Sequence, residues 1–189
     1  MDPGLNQLLK WGVENSSATQ SDQPVPTTTR GLNPDAIAAL FGGPSDADLM
    51  KESMAAILST DAELTLDDKL IAFDNFEQMI ENLDNANNLG PLALWTPLLS
   101  CLAHAEHEIR KMAAWCVGTA VQNNEKSQER LLAQGAIPKL VELATGEAED
   151  REVRRKAVYA LSSECRNYQP AMDVFTEELK NIGRNHGKV

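Results

Sequence analysis

What this sequence lacks narrows its class before any motif is found. Bases are few: 17 Lys and Arg stand against 28 Asp and Glu, a net charge of -11. A sequence-independent grip on nucleic acid or on an anionic membrane needs the opposite sign, so neither partner is expected. No apolar run approaches the roughly 18 residues of a membrane span. The opening MDPGLNQLLKWGVENSS has neither a basic start nor a long apolar centre, and makes a poor secretory signal. Cysteine is scarce, and Cys101, Cys116 and Cys165 are odd in number and widely spaced. They offer no disulfide framework and suit a reducing compartment, so a cytoplasmic (cytosolic) or nuclear protein is expected. Aromatics are only 5% of the 189 residues, a scarcity that favours helices packed through Leu and Ala.

The acidic excess is confined to the first 84 residues. Residues 1–60 hold seven acids and three bases, 61–84 hold eight acids and only Lys69, and 85–189 hold thirteen of each. Such a run is either a solvated helix face or an acidic wall for a basic patch on a partner. Residues 14–33, dominated by Ser, Thr, Gln and Pro, cannot bury enough surface to offset their ordering entropy and are expected to form a flexible linker. An apolar motif at 1–13 is then tethered ahead of the folded part. Asn33-Pro34 opens a short helix, DAIAALF, that Gly42-Gly43-Pro44 ends. Ser45 with Asp48, and Thr65 with Asp68, are capping pairs for the next two helices. Leu49, Met50, Met54, Ile57 and Leu58 make one side of the first apolar. In the second, Leu66, Leu70, Phe73, Phe76, Ile80 and Leu83 recur at steps of three and four, a helical period. No comparable alternation for strands occurs, which predicts an all-α fold.

An internal repeat sets the architecture. WTPLLSCL at 95–102 superimposes on AIPKLVEL at 136–143, and IRKMAAWCVGTAVQN at 109–123 on VRRKAVYALSSECRN at 153–167. The second match pairs Arg110 with Arg154, Trp115 with Tyr159 and Asn123 with Asn167. A period in the forties built from short helices is the armadillo or HEAT range, and Gly135-Ala136-Ile137-Pro138 before an apolar helix favours armadillo. Segment 66–88 is a degenerate earlier copy of the last helix, giving a superhelical solenoid of about three repeats. The domains expected are 1–13 apolar motif, 14–33 linker, 34–65 N-terminal helices and 66–189 repeat domain with a short C-terminal tail.

Catalytic chemistry is hard to find. There is no Gly-rich phosphate loop and no nucleophile elbow, and no catalytic residue, cofactor or metal is expected. Cys101, His104, His107 and Cys116 form a string that hints at zinc, but the two thiols fall on apolar helix faces, where they act as small hydrophobes. A repeat stack instead builds a concave surface lined by the last helix of each repeat. Asp84-Asn85-Ala86-Asn87-Asn88 and Gln122-Asn123-Asn124 sit at or past the ends of such helices. They are either helix-end residues tolerant of left-handed backbone or a polar ridge for a partner. One alternative is a peptide-binding adaptor of the nuclear-import type, which needs Trp and then Asn four residues on. Trp115 is followed by Thr119, and Tyr159 by Ser163, so that ladder is missing.

The segments LNQLLKWGVENS, LFGGPSDADLMKESM, KLIAFDNFEQMIENLDNANNL, GTAVQNN and VRRKAVYALSS together resemble the Fes-type nucleotide exchange factors of the seventy-kilodalton heat-shock chaperone (Hsp70), also called the Hsp-binding protein family, and most of all its fungal branch. The resemblance implies a monomeric, non-enzymatic armadillo co-chaperone of cytosolic Hsp70, whose concave face embraces a lobe of the chaperone's ATPase domain and promotes release of ADP and client. It carries Asn85, Ala86, Asn87 and Asn88 into that contact, joined through the repeat by Trp115, Thr119, Asn123 and Asn124. Leu8, Leu9 and Trp11 would meet the chaperone's substrate domain as a pseudo-substrate. After Arg166 no further convincing repeat follows, and Glu164 stands where a small or apolar residue is expected.

Overall fold

The computed structural model of the chain describes residues 43–186. The apolar motif, the linker, the helix DAIAALF, and with them Leu8, Leu9 and Trp11, lie outside the described residues. Among the described residues every regular element is helical. Helix α1 is Asp46–Leu58 and α2 is Leu66–Ile80. The Thr65 side chain accepts from the Asp68 backbone N–H at 3.2 Å, and an Asp68 oxygen accepts from the Thr65 N–H at 2.9 Å, so the predicted capping box closes the start of α2. Phe73 and Phe76 are wholly buried, each burial contributing roughly 2–3 kcal/mol. Met50, Met54 and Ile57 of α1 cover them, whereas Leu58, Leu66 and Leu83, expected on apolar sides, are exposed at helix margins.

The stripe expected to run on through Leu83 breaks before it. Asn82 takes an extended backbone and accepts from the N–H groups of Asp84 and Asn85, starting a separate short helix, α3, Leu83–Asn88. Then come α4 (Trp95–Ser100), a 3-10 turn (Cys101–Ala103), α5 (His107–Val121), α6 (Glu125–Ala133), α7 (Ile137–Thr145) and α8 (Arg151–Cys165). Each unit of the sequence repeat is thus a short helix and a long one, α4 with α5 and α7 with α8. The segment read as a C-terminal tail contains an 18-residue helix, α9, Gln169–His186. Its Met172, Phe175, Leu179 and Ile182 recur at helical steps.

The long helices stack. Helix α2 lies against α5 and α5 against α8, while α1, α7 and α9 cover their flanks. Small residues permit the closest approach. Gly118 faces Tyr159 so tightly that a Cβ there would sit 2.5 Å from the ring and 3.2 Å from the Ala160 Cα. The corners use matched chemistry as well. Asn123 after α5 and Asn167 after α8 both take left-handed backbone, at φ 52° and 57°. The buried Gln128 of α6 donates its side-chain amide to the carbonyls of Ser163, Glu164 and Arg166, meeting acceptors that the end of α8 leaves open.

Candidate partner-binding site

The α2–α5–α8 layer carries a row of polar groups that its packing does not require. The Thr119 hydroxyl on α5 donates to Glu77 Oε1 on α2 at 2.6 Å. Glu77 is buried, and desolvation raises its pKa, helped by Glu81 and Asp74 and opposed by the Thr119 hydrogen bond and by Lys156. On the next helix, the Lys156 ammonium lies 3.6 Å from the Trp115 ring centroid and 5.9 Å from that of Tyr159. Desolvation lowers the Lys156 pKa, while the Glu77 carboxylate raises it. The Tyr159 hydroxyl donates to Gln122 Oε1 at 3.1 Å. The row therefore passes from acid on α2, through aromatic and hydroxyl groups on α5, to base on α8.

The residues expected at the site divide into two groups. Trp115 and Thr119 are half-buried members of this row. Asn88 and Asn123 are exposed, and Asn87 is half-buried with its Oδ1 buried and unpartnered. Helix α3 packs against both α5 and α6, which flank Asn123, so the two asparagine stretches share the edge where α2 and α5 end. Asn85, Ala86 and Asn124 are buried. Asn85 donates to Asp46 Oδ2 at 2.8 Å and to the Met79 carbonyl at 3.1 Å, tying α3 to the start of α1 and the end of α2. Asn124 caps α6, accepting from the Ser127 N–H and donating to the Ser127 hydroxyl at 2.9 Å. Cys101 and Cys116 of the zinc-like string are buried, burial raises both thiols' pKa, and no group of metal-ligating side chains gathers among the described residues.

Sequence reasoning missed Glu77 and Lys156. Glu77 hides in the acidic run, where it looks like one more solvated carboxylate. Lys156 holds the place one repeat after Met112, and a base at a core position was the available signal. In the import-adaptor alternative an Asn would stand at the Thr119 and Ser163 positions. Here the first is engaged by Glu77 and the second is buried.

Two family models match the chain: nucleotide exchange factor Fes1 over residues 5–89, and the SIL1/FES1/HPBP1 C-terminal domain over residues 85–179. The chain is 66% identical over 189 residues to the Hsp70 nucleotide exchange factor FES1 of Gibberella zeae, covering all of this chain and 89% of that protein. It is 51% identical over 213 positions to the Hsp70 nucleotide exchange factor fes-1 of Neurospora crassa, covering 97% and 87%. With the FES1 protein of Coccidioides immitis the identity is 54% over 178 positions, covering 92% and 82%. No helix among the described residues is long and apolar enough to cross a membrane.

Proposed function

The chain belongs to the Fes1 family of nucleotide exchange factors, and from that premise we propose that it is a co-chaperone which binds the ATPase domain of Hsp70 and promotes release of ADP and client. The observation that carries this is the pair of family matches, which join without a gap across residues 5–179 and take in the whole α2–α5–α8 layer. The protein works as a monomer in the cytosol, binds no nucleotide itself and catalyses no bond change. Its effect is linkage. A partner that favours the nucleotide-poor lobe arrangement weakens nucleotide binding reciprocally, and a tenfold weakening of ADP needs about 1.4 kcal/mol of differential affinity.

The contact is made by Trp115, Thr119 and Lys156, with Asn87, Asn88 and Asn123 on the adjoining edge. Lys156 suits the role because a cation already part-stripped of water loses less on meeting an anionic group of the partner. Asn85, Ala86 and Asn124 serve from beneath by holding α3 and the α5–α6 corner in place. Residues 1–13, with Leu8, Leu9 and Trp11, act as a pseudo-substrate that helps displace client. Stopped-flow release of a fluorescent ADP from Hsp70 tests the proposal. The wild-type chain accelerates release, and Lys156→Gln, which removes the charge without setting a second carboxylate towards Glu77, cuts that acceleration about tenfold while the chain stays folded. Absence of any acceleration by micromolar wild-type protein rejects the exchange activity. Removal of residues 1–13 slows client release and leaves ADP release unchanged.

A further inference from the structure

Among the described residues, the solenoid leaves an open seat at the side of α8 that faces away from α5. A groove of about 600 Å³ runs between α8 and α9, floored by Leu161, Cys165 and Val141, with Val158 on one wall and Met172 and Leu179 on the other. Val158, Met172 and Leu179 are 54%, 39% and 41% exposed, apolar surface that water covers at a cost. The internal repeat identifies the shape that fits. Carried forward by one repeat, Ala114, Val117, Gly118 and Val121 of α5 become Val158, Leu161, Ser162 and Cys165. In α5 these residues are buried, and Gly118 lies directly beneath α8. In α8 their counterparts line the open groove. The groove is thus the next helix-receiving face of the stack.

The charges say what kind of helix belongs there. The groove continues into a cleft lined by Arg151, Arg154 and Arg155, and Arg166 stands at its other end. Arg155 is paired with Glu152 at 2.8 Å, yet every charged side chain lining the two connected spaces is an arginine, in a chain whose net charge is -11. A local basic rim around an apolar floor matches a helix with one apolar stripe and acidic flanks.

We propose that the α8–α9 groove binds an amphipathic helix with acidic flanks from a partner protein, in the position a further repeat helix would occupy. The 15 residues of α8 set the seat at about 22 Å, or four turns. This surface meets the Lys156–Trp115 row at Tyr159, which lines the arginine cleft, but its floor lies on the α9 side of α8, and its occupation is expected to leave nucleotide exchange unchanged.

The probe is a fluorescein-labelled, hydrocarbon-stapled peptide of residues 151–165, whose own α5-facing side already fits such a face, carrying Arg151→Glu, Arg154→Glu and Arg155→Glu and keeping Lys156, which lies on that side. Anisotropy titration with the full chain is expected to show micromolar binding, at least about tenfold tighter than for the unsubstituted basic peptide. Val158→Glu and Arg154→Glu in the protein should each weaken it about tenfold, with unchanged melting and unchanged acceleration of ADP release. No binding of the acidic peptide, equal binding of both peptides, or binding that survives Val158→Glu overturns the proposal. So does light scattering that finds a dimer which Val158→Glu dissociates, since a second copy would then fill the seat.

Discussion

The α4–α5 repeat and the α7–α8 repeat were cut from one pattern and differ in what lies beyond them. Helix α5 is enclosed on both sides, by α2 and by α8, whereas among the described residues α8 packs closely on α5 but meets α9 only loosely, across an open groove. Arg110 in the inner copy is tied down by Glu149 at 2.9 and 2.6 Å and by the carbonyls of His104 and Ala105 at 2.7 Å. Its counterpart Arg154 lines an open cleft. Gly118, pressed against a tyrosine, becomes Ser162 beside open space. The comparison teaches that stacking, more than helix formation, dictates residue size in this chain. The same local pattern tolerates polarity wherever no next layer arrives.

One position breaks that rule. Ala120 of α5 corresponds to Glu164 of α8, and both are wholly buried. Both Glu164 oxygens lack a hydrogen-bond partner, and desolvation pushes its pKa up to about 8. A neutral carboxylic acid is thereby held at a position whose repeat counterpart carries only a methyl group, next to the thiol of Cys165, whose own pKa burial and Glu164 push up to about 11.

Mutations can break or sharpen this contrast. The largest effect is expected from Gly118→Leu, which drives a branched side chain into the Tyr159 ring and the Ala160 backbone and should cost about 3 kcal/mol in urea unfolding. Ser162→Leu, the same change one repeat later, should stay within about 0.5 kcal/mol. Equal losses at the two sites would remove the distinction between enclosed and open faces.

Next in size is Glu164→Leu, expected to stabilise the chain by about 2 kcal/mol at pH 8. The sign follows from the proton count. The folded state holds a proton that the unfolded chain releases near the ordinary 4.5, so the contribution of this carboxyl is favourable below that pH and is lost as pH rises towards about 8. Thermal melts from pH 5 to 9 should show the wild type falling progressively behind Glu164→Leu and then running parallel to it. A constant gap would mean that Glu164 does not titrate across this window.

The smallest effect tests sameness. Asn123→Ala and Asn167→Ala each place a Cβ-bearing residue without a local polar partner in left-handed backbone, and each should cost about 1 kcal/mol. A clear difference between them would show that the two corners, alike in φ, carry unequal loads.

Much of this was legible beforehand. The capping box at Thr65 and Asp68, the pairing of α5 with α8, and the anomaly at Glu164 all follow from neighbours within a turn or from the repeat spacing itself. Burial of Asn85 could not be read that way, because it depends on Asp46, 39 residues distant. Asn88 beside it is exposed and Asn87 half-buried, a difference set by the turn at Asn82 that starts α3. Glu77 is a similar case, since its partner Thr119 lies 42 residues on and its burial is decided by α5. Helix α9 carried a helical period of its own, but it copies no earlier segment, and a search for repeats passes over it.

The neighbour-to-neighbour order of the stack has a consequence for how the molecule is made. Helix α2 can settle on α1, α5 on α2 and α8 on α5 in the sequence in which a ribosome delivers them, each newcomer landing on a surface already set. The order of contacts permits assembly to follow the direction of synthesis, with one apolar side of the stack open at each stage.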